Sequence, residues 1–282
     1  MNSASPTSIA CWKEVVTEFG PALASAIEDC SLGMDVDPRD LRKQLLLHLP
    51  RFEFSELFRD TILGDEVLRI GRKLADLQHG YHSWSNRPRI PFLDKRRVDV
   101  RPCAPNIAQE IYRRFHYIGS GRNGLVNLGA YSQDFPDIPF AIAALSEMDI
   151  AQLETTFPRL QRRSVLVLSR VFAFNWAPKN SISFLLGAVR QWVRQNSPQV
   201  RTLITYVNPN LEFTGGSYMS ANWRLLVETP TQYLYLHNDY ITYRTFLQLD
   251  PRMQSETKHS LYELEPLRLL SYSLKDRDDR DA

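Results

Sequence analysis

The stretch SVLVLSRVFAFNWAPKNSISFLLGAVRQWVRQN, residues 164–196, decides the fold because it places an apolar strand directly before an amphipathic helix. Residues 164–174 carry a single charge, which is typical of a strand buried on both faces. Residues 180–196 have apolar side chains at 182, 185, 186, 189 and 193, which predicts a helix with one buried stripe. The apolar segment TLITYV at 202–207 then predicts a second strand. A strand, a helix and a strand in this order indicate an α/β domain.

The same alternation continues on both sides of this stretch. Upstream, a short strand at 98–101 precedes the helical segment NIAQEIYRRF, and LVNLGAY (125–131) and FAIAALSEM (140–148) predict a hairpin. Downstream, a short helix at about 216–222 is followed by strands in WRLLVET and QYLYLHNDYITYRTF. This order predicts a mixed central sheet with helices on both faces over residues 98–274.

The first 80 residues carry helical patterns and no convincing strand. The apolar positions from Val15 to Ile27 keep helical spacing. Because proline lacks the N–H that a helix interior needs, we expect Pro21 to kink or split this helix. The sequence therefore predicts a helical N-terminal region over residues 1–80.

Residues 81–97 separate this helical region from the α/β domain. The segment contains two prolines and five Arg or Lys residues, which indicates a basic linker or arm. Arg96 and Arg97 are candidates for contact with the acceptor substrate if that substrate is a nucleic acid, and a solvated surface is the alternative. At the other end of the chain, the charged residues 275–282 predict a disordered tail.

Composition excludes several classes of protein. The formal net charge of +2 leaves only a local surface for nucleic acid. Three cysteines without a CxxC pair exclude a disulfide framework and a thiolate zinc site, so we expect free thiols and no metal. No apolar stretch approaches the ~20 residues that span a bilayer, and the first residues lack a signal-peptide pattern. We therefore expect a cytoplasmic protein without a membrane partner.

The junction between the central strand and its helix is the first candidate site. Ser169 and Arg170 form a polar pair within the strand, and a buried arginine needs an anion or a carbonyl as its partner. The helix that begins near Asn180 and Ser181 directs free N–H groups outward, and Lys179 adds a positive charge. These five residues are candidates for binding an anionic donor molecule. A structural ion pair at Arg170 and ordinary helix capping are the alternatives.

The segment FHYIGSGRNGL (115–125) is the second candidate. It places His116 and Tyr117 at the end of a predicted helix, before a glycine-containing loop. The glycine spacing fits neither a dinucleotide fingerprint nor a phosphate-binding loop. We interpret it as a flexible substrate loop in which Arg122 contacts the substrate. A capping or packing role for His116 is the alternative.

The segment TYVNPNLEFTGGSYMSANW (205–223) is the third candidate. A strand ends at Asn208, and a glycine turn then starts a helix that carries Tyr218. A phenol at that position can point into a cleft and donate a proton to a leaving group. Trp223 is a candidate for stacking on a base. Core packing is the alternative for both aromatic residues.

Four segments in this order, FHYIGSGRNG, LSRVFAF with PKNSIS, ITYVNP and GGSYMSANW, resemble the Mom-type DNA-modification proteins of bacteriophage Mu and relatives. These proteins are an outlying branch of the GNAT fold. The resemblance covers about residues 110–247. It implies a GNAT-like mixed sheet flanked by helices, and transfer of a glycinamide-like group to the exocyclic amino group of adenine in DNA. By matching position, it implies active-site roles for His116, Tyr117, Arg170, Ser181 and Tyr218.

The sequence departs from the family pattern at two places. Asn208 stands where an acidic residue is usual; it is a candidate catalytic residue by position, but an amide cannot act as a general base. APKNS stands where ordinary acetyltransferases have a glycine-rich pyrophosphate loop. The donor is therefore left open between acyl-CoA and an aminoacyl-tRNA.

Three hypotheses follow. The first is a Mom-like transferase that modifies adenine in DNA. The second is an N-acyltransferase or aminoacyl-tRNA-dependent transferase whose acceptor is a small metabolite or peptide; the near-neutral net charge and Asn208 favour it. The third is a non-catalytic binding module with the same GNAT-like fold. Binding to DNA separates the first two hypotheses, and turnover separates both from the third.

Overall fold

The computed structural model describes residues 11–120, 124–158 and 161–274. The predicted tail at 275–282 lies outside these residues. The chain divides into two compact units. The first unit comprises Met1–Leu77, Asn208–Phe213 and Thr229–Leu267, and the second comprises Gln78–Val207, Thr214–Glu228 and Arg268–Ala282. Two segments of the predicted 98–274 domain thus belong to the first unit, and the predicted arm at 81–97 belongs to the second.

The described residues alternate between helices and strands largely as the sequence predicts. The strand Leu267–Ser273 and the helices Ile150–Thr156, Tyr243–Gln248 and Pro251–Glu256 were not predicted. In chain order the elements are α1 (Trp12–Met34), α2 (Pro38–His48), α3 (Phe54–Leu57), α4 (Asp60–Gln78), α5 (His82–Ser85), β1 (Val98–Pro102), α6 (Pro105–Arg114), β2 (Val126–Ser132), β3 (Ala141–Glu147), α7 (Ile150–Thr156), β4 (Val165–Ala173), α8 (Ser181–Asn196), β5 (Thr202–Val207), α9 (Gly216–Met219), β6 (Arg224–Thr229), β7 (Leu234–Leu236), β8 (Asp239–Ile241), α10 (Tyr243–Gln248), α11 (Pro251–Glu256), β9 (Lys258–His259) and β10 (Leu267–Ser273).

The N-terminal region is helical, as predicted. However, α1 continues through Pro21 and does not end there. Pro21 is exposed, so water can satisfy the carbonyl group that loses its helical partner. On the opposite face, Phe19, Leu23 and Ile27 are buried. The packing of this stripe holds the helix together across the proline.

The second unit is built on a seven-stranded mixed sheet with the order β1-β2-β3-β4-β5-β10-β6. The first four strands pair antiparallel with their neighbours, β4 and β5 are parallel, and β5 and β10 are antiparallel. The first unit contains a small sheet with the order β8-β7-β9. The predicted mixed sheet flanked by helices, with a helical N-terminal region, is confirmed.

Helices cover both faces of the large sheet. On one face, Leu153 of α7 packs in a buried cluster with Ile204, and Phe115 at the end of α6 stacks on Phe172. On the other face, Arg190 of α8 lies over the ring of Tyr272. Tyr272 is opposite Leu203, the neighbour of Ile204, and adjacent residues of a strand point to opposite faces. We refer to these faces as the α6 face and the α8 face.

No helix in the described part of the chain is long and apolar enough to cross a membrane.

Candidate functional site

The parallel strands β4 and β5 separate in the middle of the sheet. They pair only through the first three residues of each strand, from Val165 with Thr202 to Val167 with Ile204. Beyond this point, the hydroxyl of Thr205 donates to the carbonyl of Leu168 at 2.9 Å. A side chain therefore replaces the backbone pairing where the strands diverge. We call this opening, between residues 168–173 and 205–207, the β4/β5 fork.

Tyr218 places its phenol at the base of this fork. The helix α9 that carries it begins after Gly215, whose φ of 77° lies in the left-handed region that favours glycine. The Tyr218 hydroxyl forms a hydrogen bond with the side chain of Thr205. Burial raises the pKa of Tyr218 to about 12, although the bond to Thr205 opposes this effect. The phenol therefore keeps its proton at neutral pH, as a proton donor requires.

Trp223 packs beside Tyr218. Its ring is 5.5 Å from the Tyr218 ring in an edge-to-face arrangement and 5.9 Å from the ring of Tyr272. The residue is buried, and its indole nitrogen has no hydrogen-bond partner among the described residues. This position matches the core alternative better than stacking on an exposed base. The contact instead fixes the orientation of Tyr218.

A β-bulge at Ser169 turns β4 where the fork opens. Leu145 of β3 is opposite Leu168, but the next residue, Ala144, is opposite Arg170, so Ser169 is the extra residue. The Ser169 hydroxyl donates to the carbonyl of Ala144 at 3.3 Å. As a result, Arg170 points to the α6 face.

Arg170 connects the bulge to the predicted substrate loop. Its Nη1 donates to the carbonyl of Ser169 at 2.7 Å, and its Nη2 donates to the hydroxyl of Ser120 at 3.3 Å. Ser120 follows Gly119, which has a φ of 63°. Arg122, the predicted substrate contact in this loop, lies outside the described residues. The guanidinium group thus holds the near end of the loop against the central strand.

His116 and Tyr117 lie at the end of α6, with their rings stacked 4.4 Å apart. His116 is buried, and its ring also makes an edge contact with Tyr112 at 6.0 Å. The N–H of Ile118 donates to Nδ1 of His116 at 3.2 Å. The neutral ring therefore carries its proton on Nε2, where it is a hydrogen-bond donor.

Two predicted groups of residues thus come together on β4, one on each face of the sheet. Tyr112 connects His116 to Arg170, because the positive charge of Arg170 acts on the Tyr112 phenol. This group lies on the α6 face. On the α8 face, the Tyr218 hydroxyl is linked through Thr205 to the carbonyl of Leu168, two residues before Arg170 on β4. The fork is the opening between them.

The start of α8 follows the end of β4. Asn180 has a left-handed φ of 68°, and its side chain does not cap the helix. Ser181 is buried, and its hydroxyl donates to the carbonyl of Pro178. Lys179 and Asn180 are exposed. The first turn of this sixteen-residue helix therefore presents an uncapped, positively polarised end beside a lysine.

This segment differs from a glycine-rich phosphate loop. Ala177 and Ser181 donate their N–H groups to carbonyls within the segment, and Pro178 has no N–H. Fewer backbone donors are therefore left than in a loop that wraps a pyrophosphate. The residues present fit one phosphate group at the start of α8, next to Lys179.

Asn208 and the arginines of the arm make local contacts. Asn208 belongs to the first unit, where its Oδ1 accepts hydrogen bonds from the backbone and side-chain nitrogens of Asn210, both at 3.1 Å. Its Nδ2 donates to the Tyr233 hydroxyl at 2.9 Å. Arg97 forms an ion pair with Asp134, and the backbone N–H of exposed Arg96 donates to Asp94. The side-chain contacts given for Asn208 thus lie within the first unit, and Arg96 and Arg97 bind residues of the arm and of the adjacent hairpin.

Three buried polar residues of the second unit were not predicted: Thr205, Tyr112 and Asn127. Thr205 had a signal in the sequence, because it is a hydroxyl residue within the apolar segment TLITYV. Tyr112 and Asn127 occupy buried positions of an ordinary helix and strand. Strand pairing places Asn127 in one row with Ala144 and Arg170, two strands from β4. Among the described residues, no group of three or more His, Cys, Asp or Glu side chains could hold a metal ion.

Among solved structures, several acetyltransferases resemble this chain, all at low sequence identity. An N-acetyltransferase from Staphylococcus aureus has 15% identity and a TM-score of 0.37, covering 63% of this chain and 97% of that protein. A GNAT-family acetyltransferase from Streptococcus pneumoniae has 11% identity and a TM-score of 0.37, with coverages of 63% and 99%. An aminoglycoside N(6′)-acetyltransferase from Legionella pneumophila has 11% identity and a TM-score of 0.35, with coverages of 68% and 98%.

Sequence comparison assigns the chain to a family. No curated protein sequence matches the chain. The profile of the Mom protein family matches residues 97–273, which is more than half of the chain. This range contains the fork, the bulge at Ser169, Tyr218 and the His116–Tyr117 pair. The chain therefore belongs to the Mom protein family.

Proposed function

We propose that this protein is a group transferase that attaches a small acyl or glycinamide-like group to the exocyclic amino group of adenine in DNA. The observation that carries the proposal is the Tyr218 phenol at the base of the β4/β5 fork, held through Thr205 to the carbonyl of Leu168. Membership of the Mom family supports DNA as the acceptor.

The two faces of the fork suit the two substrates of a transfer reaction. The donor binds on the α8 face, with a phosphate group at the start of α8 beside Lys179 and Asn180. An acyl-CoA or an aminoacyl-tRNA, when bound, supplies the activated acyl group. The acceptor binds on the α6 face, near Arg170 and His116. Transfer then takes place through the fork, and neither substrate has to cross a continuous strand pair.

Each residue has a role that its contacts allow. The leaving group of an acyl transfer needs a proton, and Tyr218 retains one because burial raises its pKa to about 12. Nε2–H of His116 and the guanidinium of Arg170 are hydrogen-bond donors for the acceptor or for negative charge that develops on the transferred carbonyl. Arg170 also holds Ser120, so the substrate loop stays close to the reacting groups.

The decisive experiment is mass spectrometry of nucleosides from the DNA of cells that express the protein. We expect a new deoxyadenosine adduct with the wild-type chain. In Tyr218→Phe the adduct should fall about 100-fold, because a positioned proton donor contributes roughly that factor or more. Tyr243→Phe is the matched control, since Tyr243 is exposed on α10. Unmodified DNA in cells with abundant soluble wild-type protein would contradict the proposal.

One observation favours a second candidate, an N-acyltransferase or aminoacyl-tRNA-dependent transferase with a small acceptor. Three arginines in or next to the basic arm form ion pairs with aspartates of this chain. Arg87 binds Asp137 in a bidentate pair, Arg97 binds Asp134, and Arg101 binds Asp99. Such pairs leave less positive charge for a phosphate backbone.

Salt-dependent binding separates the two candidates. A DNA-modifying enzyme should bind duplex DNA with an affinity that falls steeply between 50 and 200 mM salt, since each neutralised phosphate releases counterions. An adenine in a duplex must also leave the stack to reach the fork. Weak binding of DNA at low salt would shift the assignment to the small-acceptor enzyme.

A further inference from the structure

The two edge strands of the seven-stranded sheet differ in how their outer sides are protected. Among the described strands, β1 and β6 lie at the two ends of this sheet, so each pairs with a neighbour on one side only. On β1 the exposed residues are Asp99, Arg101 and Pro102, while its two valines are half-buried. Charged residues and proline on an edge strand oppose pairing with another chain. β1 therefore carries the usual protection of a sheet edge.

The strand β6 lacks this protection at its centre. Its middle residues Leu225, Leu226 and Val227 are 53%, 44% and 45% exposed. Successive side chains of a strand point to opposite faces, so apolar surface is exposed on both faces of this edge. An exposed apolar edge strand is a template on which another strand can pair through its backbone. β6 is therefore the edge at which the sheet can be extended.

The sequence of β6 is complementary to itself in the reverse direction. Residues 224–228 read Arg, Leu, Leu, Val and Glu, so opposite charges flank three apolar residues. Two copies that run antiparallel about Leu226 place Arg224 opposite Glu228 of the second copy, twice by symmetry. Leu226 then meets its own copy on the same face, and Leu225 meets Val227 on the other face. A twofold interface requires such self-complementarity, because the same patch meets itself.

The backbone geometry of an antiparallel pair also favours this register. Directly opposed residues either exchange both of their hydrogen bonds or exchange none. Pairing about a residue satisfies this rule, because each residue meets one an even number of positions away. A centre at Leu225 would place Arg224 opposite Leu226, and a centre at Val227 would place Glu228 opposite Leu226. Only the centre at Leu226 joins both charges to opposite charges.

Glu228 makes only a weak contact within its own chain. Its carboxylate is 3.8 Å from Nε of Arg268, beyond hydrogen-bond distance, and the two side chains are 50% and 37% exposed. Exposed ion pairs of this kind contribute little to stability. Glu228 can therefore bind Arg224 of a second copy without the loss of a strong interaction.

We propose that β6 is a homodimer interface, at which β6 of a second copy of this chain pairs antiparallel about Leu226 and joins the two large sheets into one. The occupant is a second copy because both the charges and the apolar residues of β6 match under a twofold rotation. Backbone hydrogen bonds between the two strands supply affinity, and the Arg224–Glu228 pairs fix the register. The inference does not depend on the proposed function, since no substrate enters it.

Sedimentation equilibrium of the full chain tests the dimer directly. The average mass should rise from the 32.6 kDa of one chain towards twice that value over concentrations of about 1 to 100 μM, the range expected for a small interface. Leu226→Lys places two like charges opposite each other on the axis, so the dissociation constant should rise about 100-fold or more. Leu247→Lys, at an exposed leucine of α10, is the matched control and should leave it unchanged.

A charge exchange tests the register at two exposed positions, where the fold tolerates substitution. Arg224→Glu and Glu228→Arg each create like-charge pairs in their own homodimers, so each variant alone should be monomeric where the wild-type chain is dimeric. An equimolar mixture of the two variants should dimerise, because both contacts then join opposite charges. Circular dichroism of each variant should match the wild-type spectrum.

Each outcome bears on a defined part of this inference. A wild-type chain that keeps the mass of one chain over the whole range overturns the dimer. A dimer that Leu226→Lys leaves intact overturns β6 as its interface. A mixture of the two charge variants that stays monomeric overturns the pairing of Arg224 with Glu228. The deoxyadenosine adduct tests the proposed function separately from all of these.

Discussion

Each compact unit contains a cluster of buried polar side chains, and the two clusters differ in how they are satisfied. In the first unit, Glu66 accepts a hydrogen bond from Arg51 at 2.7 Å and two from Arg69 at 2.9 and 2.7 Å. Arg69 in turn donates to Asp239 at 3.2 Å. In the second unit, Oδ1 of Asn127 and the hydroxyls of Tyr112 and Ser146 are buried and have no hydrogen-bond partner among the described residues.

This difference indicates which cluster contributes more to the stability of the fold. Burial alone would raise the pKa of Glu66, but its hydrogen bonds to Arg69 and Arg51 lower it below the ordinary value. The charge of Glu66 is therefore compensated within the first unit. The three atoms of the second unit gain no such compensation from the described residues. We therefore expect removal of a group from the first cluster to cost stability, and removal of an unpartnered hydroxyl from the second to cost little.

The largest expected effect is the loss of stability in Glu66→Ala. The variant leaves Arg51, whose side chain is 7% exposed, without its carboxylate. Breaking a buried ion pair from one side costs about 3–5 kcal/mol. Urea denaturation measures this change in the free energy of unfolding. A cost below about 1 kcal/mol would show that Arg51 finds another partner in the variant.

Asp40, also in the first unit, differs from Glu66 because Lys43 compensates its buried carboxylate only in part. Burial raises the pKa of Asp40 to about 6, helped by the nearby Asp37, while Lys43 at 3.6 Å opposes the shift. The folded chain then binds a proton at pH 5 that the unfolded chain has lost. The stability contributed by this group is therefore present below pH ~4 and is lost as pH rises to about 6.

Removal of this charge should stabilise the protein at neutral pH only. Asp40→Asn is expected to raise the free energy of unfolding by about 2 kcal/mol at pH 7 and to leave it unchanged at pH 3.5. Denaturation in urea at the two pH values measures the difference. Asp99→Asn, at an exposed position paired with Arg101, is the control. An equal gain at both pH values would exclude titration of Asp40 as the cause.

The sequence carried most of the information on the fold. The apolar run around Val165 and the stripe that ends at Val193 predicted the central strand and its helix, and both are present. Local patterns succeed there because burial selects residue types at fixed spacing. Pro21 does not split α1, because the cost of a proline depends on whether its face of the helix is exposed, which is a tertiary property.

The candidate site could be predicted only where polar residues interrupt apolar ones. Arg170 and Tyr218 stood out in this way, and the structure brings them to opposite faces of β4. Asn127 did not, because an asparagine in a strand has no distinctive spacing. Strand pairing places it opposite Ala144, which is in turn opposite Arg170. Partners 17 and 43 residues distant along the chain leave no local pattern to recognise.

The hydroxyl groups of the second cluster should behave in the opposite way to Glu66. Tyr112→Phe removes an oxygen that has no partner, so the free energy of unfolding should stay the same or rise by about 1 kcal/mol. Thermal unfolding measures this effect, with the wild-type chain as the reference. A loss of stability above about 1 kcal/mol would mean that the hydroxyl has a structural partner.

The smallest effect should come from a bidentate pair like that of Glu66 and Arg69, but one whose carboxylate is exposed. Arg42 donates to both oxygens of Glu212, at 2.8 and 2.6 Å, and the two side chains are 27% and 48% exposed. The hydrogen bond from Arg42 lowers the pKa of Glu212, so its contribution is present above about pH 4.3 and is lost as the pH falls through the folded value.

Glu212→Gln should therefore cost only about 0.5 kcal/mol at neutral pH, and less in 1 M salt, because water and ions screen the exposed pair. Glu66→Gln is the matched substitution and should cost several times more, with less dependence on salt, since Glu66 and its partner Arg51 are both buried. Denaturation of both variants at low and high salt makes the comparison. Equal costs would show that the bidentate geometry, rather than burial, sets the strength of the cluster in the first unit.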